Sequence, residues 1–252
     1  MSLGAGNAHR GLITVSVMLA TIMQALDATI ANVALPHMQA TMGTTQNQIS
    51  LVLTSYIVAA AICMPLSGFL ATRFGRKKIF LISVIGFTVA SMACGAAQTL
   101  GQIVVFRLLQ GMFGASLTPL SQSVLLDTYP PHKHGSAMAL WAVGVMVGPI
   151  LGPLLGGWLT EYYSWRWVFY INLPFGLLAW FGIAAFVQET PPQRRRFDML
   201  GFFSLAIGIG ALQMMLDRGE FLDWFASTEV VIEALLSGFA FYIFIVHIFT
   251  DK

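Results

Sequence analysis

Apolar runs of about 20 residues or more, separated by short polar stretches rich in Arg, Lys, Pro and Gly, recur eight times along this 252-residue chain. They cover roughly 12–36, 48–70, 79–98, 101–125, 136–160, 167–188, 198–217 and 229–249. A helix rises 1.5 Å per residue, so about 20 apolar residues cross the hydrocarbon core of a bilayer. No run alternates strictly between apolar and polar positions, which sets a β-barrel aside. The pattern predicts an all-α integral membrane protein of about eight transmembrane helices. Gly, Ala, Ser and Thr are frequent inside the runs, and such small residues let membrane helices approach closely.

Composition agrees. Charged residues are 10% of the chain and hydrophobic residues 57%, with a mean hydropathy of +0.76; soluble domains carry about 25% charge. The net charge of +2 sits in short loops and points to no nucleic-acid partner. Cys63 and Cys94 lie within apolar runs, where a small hydrophobe is the simpler reading than a metal ligand. The first run is too long for a signal-peptide core.

The basic residues give an orientation. Arg10, Arg73, Arg76, Lys77, Lys78, Lys133, Arg194, Arg195, Arg196 and Lys252 fall on the side of the N-terminus, while Arg166 and Arg218 fall on the other. This bias predicts that both termini are cytoplasmic in a multi-pass protein of the plasma or inner membrane. Asp217, Glu220 and Asp223 gather on the outer side, in a loop near 218–228. Pro191, Pro192 and the arginines after them mark a boundary. The expected organisation is a cytoplasmic N-terminus (1–11), a six-helix bundle (12–188), a cytoplasmic basic linker (189–197) and two further helices (198–252).

Asp27 and Arg107 stand deep inside their runs. A charge near the bilayer centre costs roughly 2.5–3.5 kcal/mol on insertion scales, so such residues call for a partner, a cavity or a function. Counted from the outer boundary, both lie on the order of 10–13 Å deep and could share one cavity. Burial opposes ionisation and a neighbouring cation favours it, the combination a proton-exchanging group needs. A buried pair that only fixes helix register is the rival reading. Gln24 lies one turn before Asp27 on the same face. In the fourth run Arg107, Gln110, Gly111, Gly114, Thr118 and Gln122 draw a polar and glycine-rich stripe that lines either a cavity or a helix contact. Glycines 144, 148, 152 and 156 form a ladder for close helix approach, while Pro149 and Pro153 should bend the fifth helix.

These residues also resemble a known family. Leu26 to Pro36 is similar to the first-helix signature of the 14-helix drug:proton antiporters, the EmrB/QacA-type branch of the major facilitator superfamily. Gly68, Thr72, Arg73, Gly75 and Arg76 resemble the superfamily's loop motif between helices two and three, with Thr72 where an acidic residue is usual. Arg107 to Gly111 resembles the fourth-helix motif, and Gly144, Gly148, Pro149, Gly152, Pro153, Gly156 and Gly157 resemble the antiporter motif. Trp165 to Phe169 and Ile171 to Pro174 open helix six as in this branch, and Gln213 to Gly219 with Leu222 to Phe225 resembles the stretch joining its two extra helices.

The resemblance implies the N-terminal six-helix bundle of the major facilitator fold plus two inserted helices, with the C-terminal bundle absent. It implies proton-coupled efflux of hydrophobic or amphipathic drug-like compounds by alternating access, present in truncated or split form, and not enzymatic catalysis. Asp27 would be the proton or substrate site, Arg107 its partner, and Gln24, Gln110 and Thr118 supporting polar residues. No cofactor is implied beyond the proton gradient, and no metal. The implied partners are the lipid bilayer, a small hydrophobic or amphipathic substrate, a separate C-terminal half or a second copy, and a periplasmic adaptor protein. The alternative is a non-transporting remnant or assembly subunit. An intramembrane enzyme is disfavoured because the sequence has no HExxH and no GxSxG.

Overall fold

The computed structural model describes residues 3–193 and 197–250, the first seven of these by backbone alone. Arg194, Arg195, Arg196 and Lys252, which bear on the linker and on the orientation, lie outside the described residues. Among the described residues there is no strand, and eight helical stretches are long and apolar enough to cross a membrane. The first is α1 (Leu3–Met42); the second joins α2 (Gln46–Ile49) to α3 (Leu51–Phe74). The third is α4 (Arg76–Ala96); the fourth joins α5 (Leu100–Gly114) to α6 (Leu117–Thr128). The fifth is α7 (His134–Tyr162), the sixth joins α8 (Trp167–Tyr170) to α9 (Asn172–Phe186), and α10 (Met199–Arg218) and α11 (Thr228–Thr250) complete the set.

Proline explains where two of these spans break. Pro119 offers no N–H to the Ala115 carbonyl, and the fourth span is interrupted at 115–116. Pro174 likewise leaves the Tyr170 carbonyl without its donor, and the sixth span is interrupted at Ile171. The helix continues through Pro36, Pro65, Pro149 and Pro153. The first span therefore does not end at Pro36 with its apolar run. It continues to Met42 through polar residues that suit a helix, Thr41 donating back to the His37 carbonyl at 2.7 Å.

The helix α1 lies centrally and packs on α6, α7 and α9. Its residues Val17, Ala20 and Met23 join one buried apolar cluster with Phe80, Phe87 and Ile183, on the side where α1 begins. Ile30, Ala34 and Met38 join another with Val52, Ile103 and Phe169 toward the opposite face. Asp27 falls between the two. The helices α10 and α11 pack on each other, Ser237 Oγ donating to the Gly208 carbonyl at 2.9 Å. One side of α10 lies along α3: Gly210 stands against Ile62, and the Thr54 hydroxyl donates to the Asp217 carboxylate.

At the face where α1 begins, Gly75 takes φ +97° to turn α3 into α4, a conformation that favours glycine. The Glu189 carboxylate, beyond the sixth span, accepts the backbone N–H groups of Lys77 and Lys78, each at 3.1 Å. It thus caps α4, whose first donors have no partner within the helix.

Candidate functional site

Asp27 and Arg107 meet. Arg107 Nη1 donates to Asp27 Oδ2 at 2.7 Å, with the two side chains 1% and 0% exposed. The helix α5 brings the guanidinium across α3, where its Nε donates to the Val52 carbonyl at 3.1 Å. Its Cζ lies 4.2 Å from the Tyr56 ring centroid, which adds a cation–π contact. Gln110, one turn along α5, joins both partners: its Nε2 donates to Asp27 Oδ1 at 2.7 Å, and its Oε1 accepts from Arg107 Nη1 at 2.8 Å.

The carboxylate has one more donor. Asn172 Nδ2 reaches Asp27 Oδ1 at 2.8 Å and Ser91 Oγ at 2.9 Å, and Ser91 in turn donates to the Phe169 carbonyl at 2.9 Å. The break made by Pro174 starts α9 at Asn172 and so sets that side chain in the bundle interior. Asp27 therefore accepts from three side chains on α5 and α9. An ionised group out of water is tolerated only with partners of this kind. In the sequence Asn172 stands out only as part of the Ile171 to Pro174 motif, with no sign of a part in the site. Its signal was an amide two residues before a proline in an apolar run.

The other two expected site residues form a separate pair. Thr118 Oγ1 donates to Gln24 Oε1 at 2.8 Å, with both side chains half-buried. Gly111 and Gly114 face helix contacts: Gly111 stands against the Tyr56 carbonyl and Gly114 against the Phe87 ring and the Tyr56 hydroxyl.

In α7 the glycines 144, 148, 152 and 156 are all buried and face α1. Gly148 lies against Ala25, and its carbonyl accepts from Thr29 Oγ1 at 2.9 Å, so the ladder supports the helix carrying Asp27. Pro149 and Pro153 are exposed, and around Gly157 a Cβ would have open space. In the loop motif Gly68 is exposed and Thr72 donates to the Gly68 carbonyl within its own helix at 2.9 Å. Arg76 pairs with Asp127 and donates to Ser123, while Arg73 lies 5.7 Å from the Phe69 ring centroid.

Glu233 is a charge inside the eighth span that the sequence reading passes over. It sits 3.6 Å from Arg218, which also binds Glu229 at 2.9 Å. At the other end of the same two helices His247 Nε2 lies 2.8 Å from Asp198 Oδ1. The backbone N–H of Gly201, followed by the hydrogen bond and charge of His247, holds the Asp198 carboxyl below the usual carboxylate range.

The family described as Major Facilitator Superfamily matches residues 17–250. The chain is 46% identical to "Multidrug export protein EmrB" of Escherichia coli (strain K12) over 95% of its own length and 47% of that protein's. It is also 46% identical to "Fatty acid resistance protein FarB" of Neisseria gonorrhoeae, over 87% of this chain and 44% of that one. The chain thus spans about half the length of the curated relatives it matches, and in EmrB the match falls on the N-terminal part. In fold it is similar to a crystal structure of the peptide transporter POT, with a TM-score of 0.69 at 16% identity, covering 96% of this chain and 53% of that one.

Proposed function

The chain belongs to the major facilitator superfamily, and from that premise we propose that it is the N-terminal part of a proton-coupled drug-efflux transporter. It carries hydrophobic or amphipathic drug-like compounds out across the cytoplasmic membrane by alternating access, two helical bundles rocking about a site near the midplane. The names of its relatives, a multidrug export protein and a fatty acid resistance protein, support this reading.

The observation that carries it is the Asp27 carboxylate, fully buried and held by Arg107, Gln110 and Asn172. A carboxylate in this setting can exist in two protonation states whose hydrogen-bond requirements differ, and that difference can bias a bundle between two arrangements. Arg107 is the electrostatic partner, and the half-buried Gln24, one turn before Asp27, offers a polar contact together with Thr118. The energy source is the proton gradient. The face where α1 begins is cytoplasmic, and the loop near 218–228 lies on the outer side, where a periplasmic adaptor would meet the protein. The second bundle is the remainder of a longer polypeptide, a separate chain or a second copy.

The test is drug susceptibility of a pump-deficient bacterial host expressing three proteins: the 252-residue chain, its Asp27→Asn variant, and the chain fused to a related C-terminal bundle. Resistance from the fusion, abolished by Asp27→Asn placed in it, is the expected result. Resistance from the short chain alone would assign the second bundle to another copy or a host partner. No resistance from any of them, with membrane insertion confirmed, would sink the efflux reading.

A further inference from the structure

We propose that Asn172 is a two-position hydrogen-bond partner of Asp27, donating to the ionised carboxylate and, with its amide turned over, accepting from the protonated acid. The inference rests on the reading that Asp27 takes up a proton. It concerns which neighbour gives way when that happens.

In the ionised state the carboxylate needs only donors, and all three side chains bonded to it present N–H groups. A proton delivered by hydronium forms an O–H bond at Oδ1 as the donor's own O–H bond breaks, leaving neutral water behind. That new donor then faces two N–H groups, from Gln110 and Asn172. One of them must yield or turn.

Gln110 is held in place. Its Oε1 accepts from Arg107 Nη1 at 2.8 Å, with the Cys94 thiol 3.6 Å away. Turning that amide would set its NH₂ against the guanidinium, donor against donor. Asn172 is free of this restraint, because its Oδ1 is buried and has no hydrogen-bond partner. Rotating its amide gives up no accepted bond. The rotation would place Oδ1 against the new Asp27 O–H and against Ser91 Oγ, both now bonded to Nδ2. Ser91 suits either arrangement, since a hydroxyl both donates and accepts. Its present bond to the Phe169 carbonyl joins the same exchange, so the proton state of Asp27 would be read by α4 and at the α8–α9 joint.

The ionisable groups facing Asp27 from the packed elements are Arg107 on α5, Tyr56 on α3 and Cys94 on α4. None of them can act as Asn172 does: the guanidinium has no acceptor, the phenol makes no hydrogen bond among the described residues, and the thiol is directed to Gln110 Oε1. Asn172 is thus a positioning residue whose amide orientation follows the proton.

Infrared difference spectroscopy tests this in lipid, on protein titrated with pH and carrying 13C-labelled asparagine. The chain has four asparagines, at 7, 32, 47 and 172, so replacing the first three by Gln and placing the label at Cγ leaves the Asn172 side chain as the only labelled amide. Unlabelled Asp27→Asn assigns the carboxylic C=O band, or Asp27→Glu by its shift if the first variant does not accumulate. The expected result is a carboxylic band assigned to residue 27, with the Asn172 amide C=O band moving to lower wavenumber as that acid forms. If the carboxylic band titrates while the asparagine band stays still, Asn172 is a fixed donor and the inference is overturned, with the proton reading intact. If no carboxylic band belongs to residue 27, both fall together.

Discussion

Asp27→Asn keeps the outline of the side chain and removes its charge, which leaves the Arg107 guanidinium inside the bundle without an anion. Breaking a buried pair by removing one partner costs about 3–5 kcal/mol. The single variant is therefore expected to unfold markedly earlier in detergent, and Asp27→Asn with Arg107→Gln to recover part of the loss. A double variant no better than the sum of the two single changes would argue against the direct pair. Asp27, Arg107 and Gln110 were legible in the sequence because a charge in an apolar run has few explanations, and a helix fixes what lies one turn away. Asn172 was not, because an uncharged amide near a span end carries no such signal. Its role depends on which helix packs beside Asp27, and periodicity does not report neighbours between helices. Gln24 and Thr118 shared a face with the charged residues yet proved to serve each other.

Among the elements, α7 allows a paired test. A methyl at Gly148 would lie 2.5 Å from the Ala25 backbone carbon, whereas one at Gly157 meets nothing within 4 Å. Gly148→Ala should destabilise the α1–α7 contact by about 1–3 kcal/mol. Gly157→Ala should be neutral or stabilising by up to about 1 kcal/mol. Thermal unfolding of the two variants side by side separates ladder from bystander, a distinction the repeated glycines alone could not make.

The α10–α11 pair has a pH dependence whose sign is fixed by Asp198. Its carboxyl is depressed in the folded state, so the stabilisation it gives is present above the ordinary carboxylate range and lost as pH falls through the folded value. Asp198→Asn keeps a helix cap but removes the charge. Separation of α10 from α11, followed by a fluorophore pair at their shared end, should increase on acidification in the parent and not in the variant. The effect should shrink in high salt, because the carboxylate is exposed.

At the scale of the whole molecule, the order and number of spans were readable because length and hydropathy decide them, while helix ends were not. Apolar content stops at Pro36, yet the backbone keeps its hydrogen bonds for another turn and a half. How the last two spans sit was likewise invisible in the sequence, since the Thr54–Asp217 bond and the Ile62–Gly210 approach join residues far apart along the chain. Ile62→Cys with Gly210→Cys, in a background lacking Cys63 and Cys94, is expected to cross-link on mild oxidation. Failure to cross-link in the membrane would show that α10 does not ride on α3.

The Glu189 cap bears on how such a protein is made. The carboxylate that satisfies the start of α4 lies 112 residues downstream of Lys77, so the third span leaves the ribosome and enters the bilayer long before its cap exists. At roughly 5–20 residues per second of synthesis that interval is about 6–20 s. For its duration the exposed amides at residues 77 and 78 must be served by water or lipid headgroups at the membrane surface. The first five spans can be threaded one after another, but this face is sealed only by the arrival of the sixth, which makes that span the closing step of assembly.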